Sequence, residues 1–107
     1  MQMAEEKIFQ LGDLVEVLKR EGEYFLEFLK IRDLEAGIIV LHPADHDTQE
    51  SHPADELYYV IEGSGLIKLG TLEKSIRKGS IIFVPAGVYH KFYGNKEDLV
   101  VLYVFAE

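Results

Sequence analysis

The chain has 107 residues, 48% apolar and 28% charged, which suits one water-soluble domain with a single core. Nineteen acidic against eleven basic side chains give a net charge of −8. That balance repels phosphate backbones and anionic headgroups, so neither nucleic acid nor membrane is an expected partner. With no cysteine there is no disulfide scaffold, and any metal site must use nitrogen and oxygen ligands.

The first ten residues, MQMAEEKIFQ, lack the apolar stretch of a signal peptide. The longest apolar run, Leu99 to Ala106, falls far short of the roughly 20 residues a membrane helix needs. A cytoplasmic location is expected. Leu11, Leu14, Val15 and Leu18 recur at helical spacing, with Asp13 as a candidate cap and Gly22 as the stop. Residues 1–22 thus form an N-terminal helical segment, and about three turns require something to lie against.

From Tyr24 the pattern changes to strands. Tyr24 to Ile31 and Gly37 to Leu41 are predicted strands joined by a turn near Asp33 to Ala36, and His42 to Ala54 is loop-like and acidic. Leu57 to Glu62 is the next strand, after which Gly63-Ser64-Gly65 makes a tight turn into Leu66 to Leu69. Strands follow near Lys74 to Arg77, at Ile81 to Val84, at Val88 to Tyr93 after the turn Pro85-Ala86-Gly87, and at Leu99 to Phe105. Eight or nine short strands punctuated by Gly and Pro indicate an all-β sandwich or barrel in one domain spanning 1–107.

Two clusters carry the chemistry. Glu50-Ser51-His52 is followed by Glu56 and Gly63, and Gly79 is followed by Pro85, Gly87, His90 and Asn95. The first fits HxH(x)3-4E(x)6G with Glu50 in place of the first histidine; Gly37 lies too far upstream to be its opening glycine. The second fits G(x)5PxG(x)2H(x)3N, except that Gly94 takes the asparagine slot and Asn95 follows it. Over Gly37 to Phe105 the chain resembles a small single-domain cupin. The resemblance implies a jelly-roll β-barrel over 37–105 behind a short N-terminal helix. It also implies that, if the chain is an enzyme, its chemistry is of dioxygenase, isomerase or epimerase type.

Strand alternation brings the same residues together. Glu50 and His52 share a face, Glu56 re-enters from the following strand, and His90 comes from a separate strand. Two imidazoles and one or two carboxylates suit one divalent ion such as Mn, Fe, Ni or Zn, and leave coordination positions open. A metal-free lumen in which His52 and His90 are simply hydrogen-bonded remains the alternative, and Glu50 could equally be solvated surface. Gln49 is a weaker ligand candidate, and His42 and His46 fit loop residues near a mouth.

Counting by two from Glu56 and His90 places Tyr58, Val60, Val88 and Phe92 on the inner wall, where they would line a pocket for a small organic ligand or simply fill the core. Tyr59, Ile61, Tyr89 and Tyr93 face away. No catalytic group beyond these is evident, so a ligand-binding or sensing module without turnover is the rival reading. Leu99 to Phe105 and Ile81 to Val84 are apolar on both faces, more than one short helix covers, so a homodimer is expected.

Overall fold

The computed structural model describes residues 5–45, 47 and 53–106. The helix forms as expected: α1 spans Leu11–Glu21 and ends at Gly22, whose left-handed backbone returns its N–H to Leu18 and Lys19. Its start differs. Gln10 is the N-cap without a side-chain bond, and Asp13 lies in the first turn, where its charge suits the helix dipole instead of capping it.

Among the described residues eight strands follow: β1 (Phe25–Ile31), β2 (Leu34–Leu41), β3 (Asp55–Glu62), β4 (Ser64–Leu69), β5 (Leu72–Arg77), β6 (Ile81–Val84), β7 (His90–Tyr93) and β8 (Leu99–Ala106). They form a five-stranded sheet in the order β1-β2-β8-β3-β6 and a three-stranded sheet in the order β5-β4-β7, with antiparallel pairing throughout. The two sheets are the facing walls of an open barrel, and the expected all-β fold with a short helix is what the chain adopts.

Two joints depart from the sequence reading. β2 begins at Leu34 rather than Gly37, because Arg32 and Asp33 alone make the hairpin turn and Ile31 pairs with Leu34. The stretch Gly63-Ser64-Gly65 is a corner rather than a hairpin: β3 belongs to the large sheet and β4 to the small one. Gly63 has φ +85°, and a Cβ there would collide with the backbone oxygen of Asp98. Only glycine lets the chain turn this corner against β8.

The inner faces share one core. Ile39, Leu41, Tyr58, Val60, Ile67, Ile76, Ile82, Val84, Phe92, Leu99, Val101, Tyr103 and Phe105 are all buried in it. Tyr58 meets Phe92 across the sheets edge to face at 5.0 Å, a preferred aromatic geometry. On the outer side of the large sheet, Val15 and Leu18 of α1 pack with Ile38, Val40 and Val100, flanked by Leu26, Phe28, Ile61 and Leu102. The helix therefore covers the second apolar face of β2 and β8. It leaves β3 and β6 bare: Leu57, Tyr59, Ile81 and Phe83 are 45%, 38%, 69% and 58% exposed.

Gly37 sits opposite Tyr103 in the β2–β8 ladder, and a Cβ at that position would overlap the tyrosine ring. Tyr103 is 3% exposed and has little room to retreat. Gly37→Ala is expected to destabilise the fold by about 1–3 kcal/mol, as overpacking does, measured by urea unfolding. A smaller residue at Tyr103 should restore part of the loss in the double variant.

Candidate metal and ligand site

Burial along β3 alternates strictly from Asp55 to Val60, so Glu56, Tyr58 and Val60 point inward. Along β7, His90 and Phe92 point inward, while Val88 precedes the strand and is partly buried. Tyr59 and Tyr89 are exposed, Ile61 joins the cluster under the helix, and Tyr93 is half-buried. Glu56 comes from the large sheet and His90 from the small one, and they meet in the lumen.

His90 Nδ1 lies 3.0 Å from the carbonyl oxygen of Val88, which can only accept, so Nδ1 carries the proton. In the neutral imidazole Nε2 then holds the lone pair, turned inward. It lies 3.5 Å from Glu56 Oε1, and both side chains are 1% exposed. The Tyr58 hydroxyl lies 2.9 Å from the same Nε2 and also bonds Glu56, so its one proton is shared between two acceptors. Burial pushes the Glu56 carboxyl up from the usual carboxylate range, while its hydrogen bond with Tyr58 and the nearby His90 work against the rise. Burial and the adjacent Glu56 push the Tyr58 phenol far up, so it remains a neutral donor.

A lone pair fixed by a backbone bond on the opposite ring nitrogen, facing a buried carboxylate, is a donor pair suited to a divalent ion. Among the described residues, no three His, Asp or Glu side chains gather into a metal cluster. Glu50 and His52, together with Gln49 and His46, lie outside the described residues. His42 is on the surface with Nδ1 at 2.6 Å from Asp98 Oδ1, joining the loop after β2 to the loop before β8.

The lumen is more polar than the sequence indicated. Burial and then the half-buried Glu35 push the Tyr103 phenol up, and Glu35 also acts on Glu56; Glu27, which adds to the rise at Tyr103, is itself exposed. Because β2 was expected to begin at Gly37, Glu35 was not counted with the inner face, although it lies two residues before Gly37. Asp47 lies within His42 to Ala54, the stretch that reads as an acidic loop, yet it is no solvated acid. It is 9% exposed, accepts the Tyr24 hydroxyl at 2.6 Å and accepts the Phe92 N–H at 2.9 Å. Tyr58 is more than apolar wall: its buried hydroxyl needs a partner and finds one in His90. Asn95 is structural: its side-chain amide donates to the carbonyls of Leu41 and Glu97.

The cupin domain family matches residues 37–105. An uncharacterized protein of Streptomyces coelicolor is 40% identical over 101 residues, 94% of this chain and 95% of that one. A dimethylsulfoniopropionate lyase of Ruegeria pomeroyi is 29% identical over 75 residues, and an acireductone dioxygenase of Tuber melanosporum is 30% identical over 54. Those matches cover 70% and 46% of this chain but only 49% and 31% of the two enzymes. An RmlC-like cupin of Shewanella frigidimarina superposes with a TM-score of 0.69 at 20% identity, covering 77% of this chain and 73% of the other. That likeness concerns the fold alone.

The His42–Asp98 contact has a pH signature. Its hydrogen bond and the carboxylate charge raise the His42 pKa above the ordinary histidine value. A raised folded pKa means the contact stabilises fully below the unfolded value, roughly pH 6.5, and is lost as pH rises through the folded one. The histidine side chain is 51% exposed, so the effect on stability is small. The imidazole NMR titration of His42 should lie above the ordinary range and return to it in Asp98→Asn.

Proposed function

Since the chain belongs to the cupin domain family, we propose that it binds one divalent ion in its lumen and, beside it, a small organic molecule. The ligand set is His90 and Glu56 together with His52 and Glu50, and the ion is Mn, Fe, Ni or Zn. Tyr58, Val60 and Phe92 form the wall against the organic ligand. One observation carries this reading: His90 Nε2 and Glu56 Oε1 face each other at 3.5 Å with almost no solvent exposure. Burying that pair is costly, and a cation between them would repay the cost.

When bound, the ion would polarise a substrate oxygen or activate dioxygen. The chain's own groups do the rest. Val88 holds the imidazole orientation through its carbonyl. Tyr58 presents a phenol O–H that stays protonated and can donate to a substrate oxygen, and Phe92 and Val60 keep water out. The enzymatic names of the partial relatives, a lyase and a dioxygenase, favour turnover of metal-dependent dioxygenase or isomerase type over simple retention. The second reading is a ligand-binding cupin without metal. It is favoured by the Tyr58 hydroxyl at 2.9 Å from Nε2, which satisfies the lone pair a metal would take.

Metal analysis of protein purified without chelator or nickel resin separates the two. About one divalent ion per chain is expected, most of it lost in His90→Ala with the circular dichroism spectrum retained. Tyr58→Phe should keep the metal or bind it more tightly, because the competing hydrogen bond is gone. Full occupancy in His90→Ala would overturn the metal assignment, and a metal-free wild-type protein would favour the second reading.

Assembly follows from the bare face of β3 and β6. Leu57 pairs with Phe83 and Tyr59 with Ile81, so four large apolar side chains stand side by side in solvent. A two-fold homodimer placing these faces against each other is the simplest closed arrangement. Sedimentation equilibrium at micromolar concentration should give the dimer mass, and Phe83→Lys the monomer mass. A monomeric wild-type protein would overturn the dimer.

A further inference from the structure

We infer a second binding site, for a small molecule carrying a phosphate or comparable dianionic oxyanion, in the groove where β4 begins and β5 ends. The groove encloses about 930 Å³ and is lined by Arg77, Lys96, Glu97 and the hydroxyl residues Ser64, Ser75 and Ser80.

Charge distribution singles it out. Between Gly63 and Lys96 lie six of the chain's eleven cationic side chains but only one of its nineteen acids, Glu73. This segment carries six cations against one acid in a chain whose net charge is −8, and the groove itself is lined by two of those cations, Arg77 and Lys96, and one acid, Glu97. Among the described residues, neither Arg77 nor Lys96 takes part in an ion pair. An arginine fork, a lysine point charge and serine hydroxyls are donors only a concentrated negative charge would use fully. A nucleic acid or an anionic membrane extends beyond the groove and would meet the acidic remainder of the surface.

The backbone that carries the donors is held in place. Arg77 N–H donates to Ser80 Oγ at 3.0 Å and Ser80 N–H donates to the Arg77 carbonyl at 2.8 Å, which closes the turn after β5. On the other wall, Asn95 ties the loop bearing Lys96 to Leu41 and Glu97. The groove is also remote from the lumen pair. Arg77 pairs with Ser64 at the start of β4, whereas His90 pairs with Leu69 at its end. Five strand steps separate them, about 17 Å. Metal loading and anion binding are therefore separable, and failure of one leaves the other standing.

The test is an NMR titration of the full chain with inorganic phosphate and with glycerol phosphate, against chloride at matched ionic strength and against glycerol. Phosphate should shift the amides of Ser64, Ser75, Arg77 and Lys96 and leave those around His90 in place. Glycerol phosphate should bind at least as tightly, because the groove has room for its organic part. Arg77→Gln and Lys96→Gln should each weaken binding about tenfold, and Glu97→Gln should tighten it by removing the opposing charge. Shifts no larger than chloride gives, unchanged affinity in the Arg77→Gln/Lys96→Gln double variant, or exclusion of glycerol phosphate would overturn the proposal. So would groove shifts that follow protein concentration alone, which would mean that acidic surface of a second copy fills the groove.

Discussion

Strand β8 is buried along its inner face and, at Val100, on its outer face as well, and the rest of the architecture answers that constraint. It lies between β2 and β3 with an unbroken ladder to β2, so its backbone is satisfied and its side chains must be covered above and below. Leu99, Val101, Tyr103 and Phe105 point into the lumen, where the small sheet closes over them. Val100 points out and is covered by α1, whose Leu18 is 2% exposed. Burying a leucine of that kind contributes about 2 kcal/mol, and the helix has little other reason to form, since three turns are marginal in water.

Polar groups inside such a barrel must find partners across the gap between the sheets, and that need shapes the site. His90 from the small sheet meets Glu56 and Tyr58 from the large one. Asp47 reaches the Phe92 N–H on β7 while accepting the Tyr24 hydroxyl beside β1. These contacts join the two walls more specifically than apolar packing could, because each fails if the walls slide by one residue. They are also the least economical part of the core, since a buried carboxyl near other carboxyls resists ionisation. A fold optimised for stability alone would place apolar side chains there. Their presence fits a chamber kept ready for a charged or polar guest.

The strands were legible because period two is visible wherever one face is apolar, as in Glu56 to Val60. The second histidine cluster was legible because Gly79, Pro85 and Gly87 punctuate it. What stayed hidden was whatever depends on distant pairing. Gly63-Ser64-Gly65 looks like a hairpin turn until one knows that β3 and β4 belong to different sheets. Leu34 and Glu35 look like turn until the β8 ladder, ending at Ala106, draws them into β2. Asp47 gave no local signal, because its partners Tyr24 and Phe92 lie 23 and 45 residues away. Of the lumen residues singled out from the sequence, Glu56, Tyr58, Val60, His90 and Phe92 fall on the inner wall, while Glu50 and His52 lie outside the described residues.

The sheet order also sets a sequence of events for folding. β2 and β3 are not neighbours; the strand that separates them, β8, is the last of the described strands. During synthesis the first seven strands emerge before the large sheet can have a centre, and β2 and β3 then carry unpaired, apolar edges. Folding must wait for a contact such as Leu41 with Leu99, whose long loop-closure entropy is paid before any packing rewards it. A chain stalled just short of β8 would be the most aggregation-prone species this sequence can produce.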